Sequence, residues 1–208
     1  KGSAKNIAIT SPKAIIIVVT NPMDAMAHLT LKVTNFPHKK VIGMGGVLDS
    51  ARMRAFIAIE TGVAPDKIET MVLGSHGDLM VTLPRFTKVD GKNLTEILSQ
   101  PKIEEIIRRT KNGGAEIVGL LKTGSAYFAP AASIVEMIEN IFEIKNELLP
   151  CSVYLDGEYG LKGVYIGAPV RLCSTGVKEI IELELKENEK QALIASAETV
   201  RELIKKIT

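Results

Sequence analysis

The sequence lacks a long apolar run and a block of like charge. Its longest uninterrupted apolar run, residues 14–19, has the length of a strand and falls far short of the roughly 18 residues that span a bilayer. The 208 residues include 26 Lys and Arg against 24 Asp and Glu, spread along the chain, so neither a nucleic acid nor an anionic membrane is predicted as a partner. With 46% apolar residues to bury, we expect a soluble globular protein that binds a small molecule.

Cysteine is also scarce. Cys151 and Cys173 lack the CxxC spacing and a neighbouring histidine, so the sequence predicts neither a zinc site nor a redox pair, and no metal is expected. A free cysteine usually behaves as a small hydrophobic residue, and both are predicted to be buried and inert. Such thiols are typical of a protein of the reducing cytoplasm.

Residues 1–45 have the pattern of an α/β unit. Residues 3–9 are predicted to be the end of a helix, and the β-branched run at 14–19 is typical of a strand buried on both faces of a parallel sheet. Asn21 suits a helix N-cap and Pro22 the first helical position, so a helix is expected to continue to about residue 33. A short strand at 41–43 would complete the unit.

Residues 46–208 have the pattern of an α+β domain. Helices are predicted at 48–61, 101–121, 129–142 and 187–207, the second of them bent at Gly113 and Gly114, and strands at 68–73, 81–83, 85–89, 149–155, 164–172 and 177–185. The predicted fold class is therefore α/β followed by α+β, with a boundary between residues 45 and 46.

A glycine cluster lies between the strand at 41–43 and the helix that follows it. Gly43, Gly45 and Gly46 are placed as in a dinucleotide fingerprint, but the third glycine of G-x-G-x-x-G would fall at Leu48. The phosphate-binding motif is therefore absent from this position. We expect these glycines to permit a tight turn between strand and helix.

The residues with the strongest chemical signal are Asp49, Arg52 and His76. Asp49 and Arg52 are three residues apart on a predicted helix and share one face, which alone indicates an ordinary salt bridge. His76 lies in a glycine-flanked loop after a buried strand, and its imidazole could give a proton to a carbonyl oxygen and take it back, although a structural hydrogen bond is an equal alternative. Together they suggest that Asp49 orients His76 and that Arg52 binds a substrate carboxylate.

The other two histidines are predicted to have no chemical role. His28 falls inside an amphipathic helix and is expected to be packed. His38 lies beside Lys39 and Lys40 and is expected in a solvated basic turn.

Three segments together resemble the lactate and malate dehydrogenase family. They are residues 20–24 (TNPMD), 41–52 (VIGMGGVLDSAR) and 74–78 (GSHGD), in that order and spacing, and the resemblance covers essentially the whole chain. Residues 45–49 (GGVLD) and 123–130 (TGSAYFAP) are more similar to the lactate-dehydrogenase-like malate dehydrogenases of bacteria than to lactate dehydrogenases. The resemblance implies the last strands of a Rossmann-type parallel sheet in residues 1–45 and the C-terminal substrate domain of the family in residues 46–208.

The resemblance also implies roles for the residues of the three segments. His76 would be the proton donor and acceptor, Asp49 its orienting partner, and Arg52 the ligand of the substrate's C1 carboxylate. Ser125 would line the substrate pocket, with a helix N-cap as an equal alternative.

The cofactor implied by the resemblance is NAD. The backbone of Val19 and Thr20, at the carboxyl end of their strand, would contact the nicotinamide ribose. Asn21 would contact both the substrate and the nicotinamide end.

The implied activity is the interconversion of L-malate and oxaloacetate, a step of central carbon metabolism (the tricarboxylic acid cycle), with L-lactate dehydrogenase as the alternative. The family's G-x-G-x-x-G turn, its ribose-binding acidic residue and a loop with two arginines, one of which selects malate over lactate, are expected upstream of Lys1. We therefore expect an N-terminally truncated chain, and a non-catalytic folding or oligomerisation module is the second hypothesis. The resemblance implies a homodimer or homotetramer, for which Phe56, Ile57 and Ile59 could provide contacts, although burial in the core explains them equally well.

Overall fold

The computed structural model describes residues 1–207. The helices are α1 (Gly2–Thr10), α2 (Met23–Thr34), α3 (Gly45–Thr61), α4 (Leu94–Ile97), α5 (Gln100–Leu121), α6 (Phe128–Ile141) and α7 (Glu187–Ile207). The strands are β1 (Ile16–Val18), β2 (Val41–Gly43), β3 (Ile68–Glu69), β4 (Val72–Gly74), β5 (Met80–Thr82), β6 (Lys88–Val89), β7 (Lys92–Asn93), β8 (Leu149–Asp156), β9 (Lys162–Cys173) and β10 (Gly176–Ile180). Within residues 1–207, no helix combines the length and the apolar character that crossing a membrane requires.

A seven-stranded mixed sheet forms the centre of the molecule. Its order is β1-β2-β8-β9-β4-β5, with β10 paired to β9. β1 and β2 are parallel and are connected through α2, as a parallel pair requires, whereas all the other pairs in this sheet are antiparallel. The predicted fold class, an α/β unit followed by an α+β domain, is confirmed.

A second, small sheet contains β3, β6 and β7. β6 and β7 form a hairpin whose two turn residues, Asp90 and Gly91, have φ values of 49° and 79°. Positive φ at both positions is the geometry that an Asp-Gly hairpin turn favours, so this turn is confirmed.

The main core lies between the large sheet and the helices α3, α6 and α7. α7 contributes Leu193, Ala197 and Val200, which are buried and, at spacings of three and four residues, lie on one face of the helix. A second cluster, around Met53, Ile57 and Leu94, fills the space beneath the small sheet.

Several predicted boundaries are wrong for local reasons. α2 begins at Met23, so Asn21 does not cap it and Pro22 precedes the helix instead of opening it. β1 is a three-residue strand at the edge of the sheet, and of its residues only Val18 is buried, so the expected burial on both faces is wrong within the described residues.

The segments predicted as single strands at 68–73 and 85–89 are also divided. Residues 68–73 separate into β3 and β4, which belong to different sheets. Pro84, which lacks a backbone N–H, begins a 3-10 turn that continues to Phe86, so β6 is only two residues long. The strand predicted at 177–185 ends at Ile180.

Candidate functional site

Asp49, Arg52 and His76 meet in the structure. His76 Nδ1 is 2.8 Å from Asp49 Oδ2, and because a carboxylate can only accept, the ring donates from Nδ1 and leaves Nε2 for another partner. Arg52 Nη1 is 3.6 Å from Asp49 Oδ1, too far for a hydrogen bond but close enough for an ion pair. The carboxylate of Asp49 is therefore shared between an imidazole and a guanidinium.

The glycine cluster brings α3 to this position. A Cβ on Gly45 would lie 2.3 Å from Met23 Cε and 3.0 Å from His76 Cβ, and one on Gly46 would lie 2.4 Å from the carbonyl oxygen of Pro150. None of the three glycines of the cluster has a positive φ. The predicted tight turn is present nevertheless, because Met44 alone separates the end of β2 from Gly45. Gly45 and Gly46 form the first turn of α3, which packs directly on its neighbours.

Ser50 connects α3 to the strand that leads into the His76 loop. Its hydroxyl accepts a hydrogen bond from Val72 N at 3.1 Å, and its carbonyl accepts one from the Thr70 hydroxyl at 2.9 Å. Because Val72 begins β4, these bonds hold the helix that carries Asp49 against the strand that presents His76. The predicted pairing of Asp49 with His76 is therefore supported by hydrogen bonds between the helix and the strand that carry them.

Asp24 is a member of the site that sequence reasoning missed. It is 4% exposed, its Oδ2 accepts from His76 N at 2.9 Å, and its Oδ1 accepts from the Ser152 hydroxyl at 2.6 Å. The segment at 20–24 drew attention to Asn21, while an acidic residue in the first turn of a helix is explained by the helix dipole alone. No pattern in the sequence indicates that its partners are 52 and 128 residues away.

The surroundings of His76 favour its protonated form. Burial lowers the pKa of the imidazole and the charge of Arg52 acts in the same direction. The hydrogen bond and charge of Asp49, together with the charge of Asp24, outweigh these effects and raise the pKa of His76 above 6.5. The ring of His76 therefore keeps its proton to a higher pH than a free histidine does.

Arg52 has unused hydrogen-bonding capacity. Its side chain is 12% exposed, and its buried Nε has no hydrogen-bond partner within residues 1–207. α5 lies against this side chain at Gly113 and Gly114, where a Cβ would come within 3.1 and 3.6 Å of it. The guanidinium is thus held by packing, with donors available for an anion that it could bind through two parallel bonds.

Val19, Thr20 and Asn21 form an exposed segment at the carboxyl end of β1. β2 ends beside it, since Met44 N donates to Val18 O at 3.1 Å. Ligands of open α/β sheets bind beyond the carboxyl ends of parallel strands, so the position suits a cofactor. Asn21 is three residues from Asp24 and therefore close in the chain to the site of His76.

Ser125 is exposed between α5 and α6. It does not cap α6, which begins at Phe128 after Tyr127, so the N-cap alternative is wrong. No hydrogen bond joins Ser125 to Asp49, Arg52 or His76 among the residues that the structure describes.

The two histidines without a predicted role lie near a separate cavity of about 440 Å³. His28 is half-buried against the edge of the Tyr165 ring, and the exposed His38 stacks on Tyr154. The cavity is lined by neither Asp49 nor His76, and we place the chemistry at the latter because that is where ionisable groups converge.

The two cysteines differ from each other. Cys151 is buried, and its burial raises the pKa of the thiol, as expected of an inert residue. Cys173 is only partly buried and lies 3.1 Å from the Thr175 hydroxyl, so its predicted burial is wrong.

Residues 46–208 match the family model described as lactate/malate dehydrogenase, alpha/beta C-terminal domain, and residues 1–43 match the NAD binding domain of the same family. A malate dehydrogenase from Synechocystis sp. is 53% identical over 191 residues, which are 92% of this chain and 59% of that protein. The chain thus spans about three fifths of the length of this curated relative.

Solved structures agree with the sequence comparisons. Malate dehydrogenase from Salinibacter ruber superposes with a TM-score of 0.96 at 43% identity, over 99% of this chain and 67% of that one. A lactate dehydrogenase from Cryptosporidium parvum, in complex with lactic acid and nicotinamide adenine dinucleotide, superposes with a TM-score of 0.94 at 39% identity, over 98% of this chain and 66% of that one.

Proposed function

Because the chain belongs to the lactate/malate dehydrogenase family, we propose that the protein interconverts L-malate and oxaloacetate with NAD. The observation that carries the proposal is the 2.8 Å contact between His76 and Asp49, with Arg52 one helical turn further along α3. The choice of malate is supported by the names of relatives about half identical to the chain, which are malate dehydrogenases.

His76 is the proposed general acid and base. When bound, NAD supplies the chemistry of hydride transfer at its nicotinamide ring. In the direction of oxaloacetate reduction, the protonated His76 donates from Nε2 to the substrate oxygen, and in malate oxidation the neutral ring takes that proton back. Asp49 accepts from Nδ1 in both directions and so keeps the ring in one tautomer and orientation.

Arg52 is the proposed ligand of the substrate's C1 carboxylate. This role is supported by its orphan Nε and by the packing of its side chain against α5. Asn21 and Ser125 are proposed as further substrate contacts.

Val19, Thr20 and Asn21 are proposed to hold the nicotinamide end of the cofactor. Their exposure at the carboxyl end of β1 supports this role, because the backbone there can approach a ligand. We also propose that residues 1–45 serve the cofactor and residues 46–208 the substrate.

Replacing His76 tests the proposed function. In the full polypeptide that the gene encodes, His76→Asn should lower the turnover of oxaloacetate by about 100-fold to 10,000-fold, the usual contribution of general acid-base catalysis. His38→Asn, at an exposed position away from the site, is the matched control. Turnover by His76→Asn close to that of the wild type would sink the assignment.

Lactate dehydrogenase is the nearest alternative, favoured by the similarity to the Cryptosporidium enzyme. Comparing kcat/KM for oxaloacetate and pyruvate separates the two activities. A higher value for pyruvate would move the proposal from malate to lactate.

A second proposal concerns the 208 residues by themselves, which we propose to be a non-catalytic folding or oligomerisation module. It is supported by the lack of a G-x-G-x-x-G turn within residues 1–208, since such a turn binds the pyrophosphate of a dinucleotide. NADH-dependent reduction of oxaloacetate by the 208-residue chain alone would refute it. We further propose a homodimer or homotetramer, and a cytoplasmic location in keeping with the two free thiols.

A further inference from the structure

Asp24 has no part in the reaction proposed above, although it is one of the most buried charged residues of the site. It lies in the first turn of α2 and is 4% exposed. Both of its oxygens accept hydrogen bonds, one from the backbone of His76 and one from Ser152. Burying a carboxylate costs free energy unless its oxygens accept hydrogen bonds, so the presence of Asp24 in the interior requires a physical explanation.

The helix dipole explains only part of this arrangement. An acidic residue in the first turn of α2 is favoured by the positive end of the helix, but that effect does not need burial or a partner elsewhere in the chain. Asp24 instead bridges two other elements, the loop after β4 and the strand β8. The side chain of Asp24 thus connects α2 to the backbone of His76 and to the hydroxyl of Ser152.

Three separate anchors hold the loop that carries His76. Ser196 of α7 accepts from Ser75 N at 2.8 Å, Asp24 of α2 accepts from His76 N at 2.9 Å, and Asp49 of α3 accepts from the His76 ring at 2.8 Å. The first two fix the backbone and the third fixes the ring. A ring held at Nδ1 can keep its Nε2 in place only if its own backbone does not move.

We propose that Asp24 is a positioning residue, which fixes the backbone of His76 relative to α2 and β8 and keeps a second negative charge beside the imidazole. The proposal rests on the assigned role of His76 as general acid. The other charged groups that face His76 are Asp49 and Arg52, both on α3. Asp24 therefore acts through His76 and does not contact the reacting atoms.

The direction of the electrostatic effect follows from these groups. The charge of Asp24 raises the pKa of His76, in the same direction as Asp49 and against Arg52. Burial raises the pKa of Asp24 above its ordinary value, and the hydrogen bonds from Ser152 and from the backbone of His76 act against that rise. Both oxygens of Asp24 accept hydrogen bonds, which is the arrangement of a carboxylate.

The test is Asp24→Asn in the full polypeptide that the gene encodes. The amide keeps the size of the side chain and one acceptor but loses the charge. The pH dependence of carbethoxylation of His76 by diethylpyrocarbonate, followed by mass spectrometry of its peptide, reports the pKa because only the neutral ring reacts. We expect the midpoint to fall by about one pH unit, the smaller end of the effect of a nearby charge, and kcat to fall by about tenfold or more, since small misplacements at a reacting centre can cost that much.

Asp66→Asn, at an exposed position away from the site, is the matched control, and His38 is an internal reference within each sample. A purely structural Asp24 would lower the melting temperature without moving the midpoint of His76. A folded Asp24→Asn protein with the wild-type midpoint and kcat would overturn the proposal.

If Asp24→Asn does not fold, Ser152→Ala provides the second measurement. Loss of the Ser152 hydroxyl removes a hydrogen bond that lowers the pKa of Asp24, so a smaller fraction of Asp24 is ionised. The midpoint of His76 carbethoxylation should again fall. An unchanged midpoint would count against the proposal. The carbethoxylation readout does not require malate turnover. Carbethoxylation therefore tests the positioning role of Asp24, and His76→Asn tests the proposed function, so the failure of one proposal can be distinguished from the failure of the other.

Discussion

The two carboxylates beside His76 have different tasks because they contact different parts of the residue. Asp49 contacts the ring at Nδ1, where its charge stabilises the imidazolium directly, whereas Asp24 contacts the backbone N–H. Within residues 1–207, Asp49 Oδ1 has no hydrogen-bond partner and lies 3.6 Å from Arg52 Nη1. The carboxylate of Asp49 therefore interacts with the His76 ring through Oδ2 and with the Arg52 guanidinium through Oδ1.

Asp49→Asn is predicted to lower the pKa of His76 by more than Asp24→Asn does. The amide oxygen can still accept from Nδ1, but the loss of an adjacent charge typically moves a pKa by about 1–3 units. The proposed reduction of oxaloacetate needs the protonated ring. The rate of reduction is therefore highest below the pKa of His76 and falls as the pH rises through that pKa. The alkaline limb of the kcat/KM profile for reduction should therefore move to lower pH.

The pH profile of the full polypeptide, measured from pH 5 to 9, checks this prediction. The wild-type limb should lie above 6.5, the ordinary value for histidine, because the pKa of His76 is raised. Asp90→Asn is the control, since Asp90 is exposed and its carboxylate forms an exposed ion pair with Lys67 at 3.7 Å. An identical limb in Asp49→Asn and in the wild type would contradict the assigned partnership.

Sequence reasoning found the residues with chemical side chains in recognisable spacing and missed the one that acts through the backbone. Asp49 and Arg52 were predictable because helical periodicity places residues three apart on one face. His76 was predictable from its glycine-flanked loop. Asp24 was not, because its contacts depend on how α2, β8 and the loop come together in space.

At the scale of elements, the first turn of α3 is the feature that brings the site together. Gly46 allows this helix to approach the backbone of two other segments, since a Cβ there would lie 2.4 Å from Pro150 O and 2.8 Å from Val72 O. Local sequence predicted a helix beginning at residue 48, because glycine is a poor helix former. Packing overrides that preference, so the observed helix begins at Gly45.

Gly46→Ala is accordingly predicted to destabilise the fold by about 1–3 kcal/mol, as expected when extra volume is forced into a packed region. Backbone carbonyl oxygens on both sides cannot rotate away as a flexible side chain could. Gly119→Ala is the matched control: its Cβ would meet nothing within 4 Å inside the helix α5, so it should stabilise by roughly 0.5–1 kcal/mol. Urea unfolding of both variants measures the two changes, and equal stabilities would show that the close approach at Gly46 relaxes freely.

The strands show where local sequence is insufficient. The sequence predicts one strand at 68–73 and extended backbone is present there, but the local sequence does not reveal that Ile68–Glu69 and Val72–Gly74 pair in different sheets. Pairing partners are set by long-range contacts such as Val72 with Thr82 and Ile68 with Val89. The fold class was predictable, whereas the division into two sheets required the three-dimensional structure.

Of the two explanations offered for the apolar residues of α3, contacts between subunits and burial in the core, the structure favours burial for most of them. Ile57 is fully buried in the core and Phe56 is covered by Arg109, whose guanidinium lies 4.3 Å from its ring centre. Only Ile59 of that set is well exposed, at 70%. A larger exposed apolar surface lies on α6 and just after it, at Phe128, Val135, Ile138, Phe142 and Ile144.

For the homodimer or homotetramer proposed above, this surface leads to the prediction that Phe142→Glu weakens self-association of the full polypeptide. Phe142 is 70% exposed and follows Val135 and Ile138 by seven and four residues, a spacing that places the three on one face of the helix. Large exposed apolar surfaces mark interaction sites. Burying one such side chain contributes about 1.5–3 kcal/mol, which corresponds to roughly tenfold to hundredfold weaker association when it is lost. Ile9→Glu, at a 78% exposed position on α1, is the matched control because it carries the same change of charge away from α6. Light scattering across a dilution series should show the Phe142→Glu oligomer dissociating at the higher concentration, and identical curves for both variants would place the contact between subunits elsewhere.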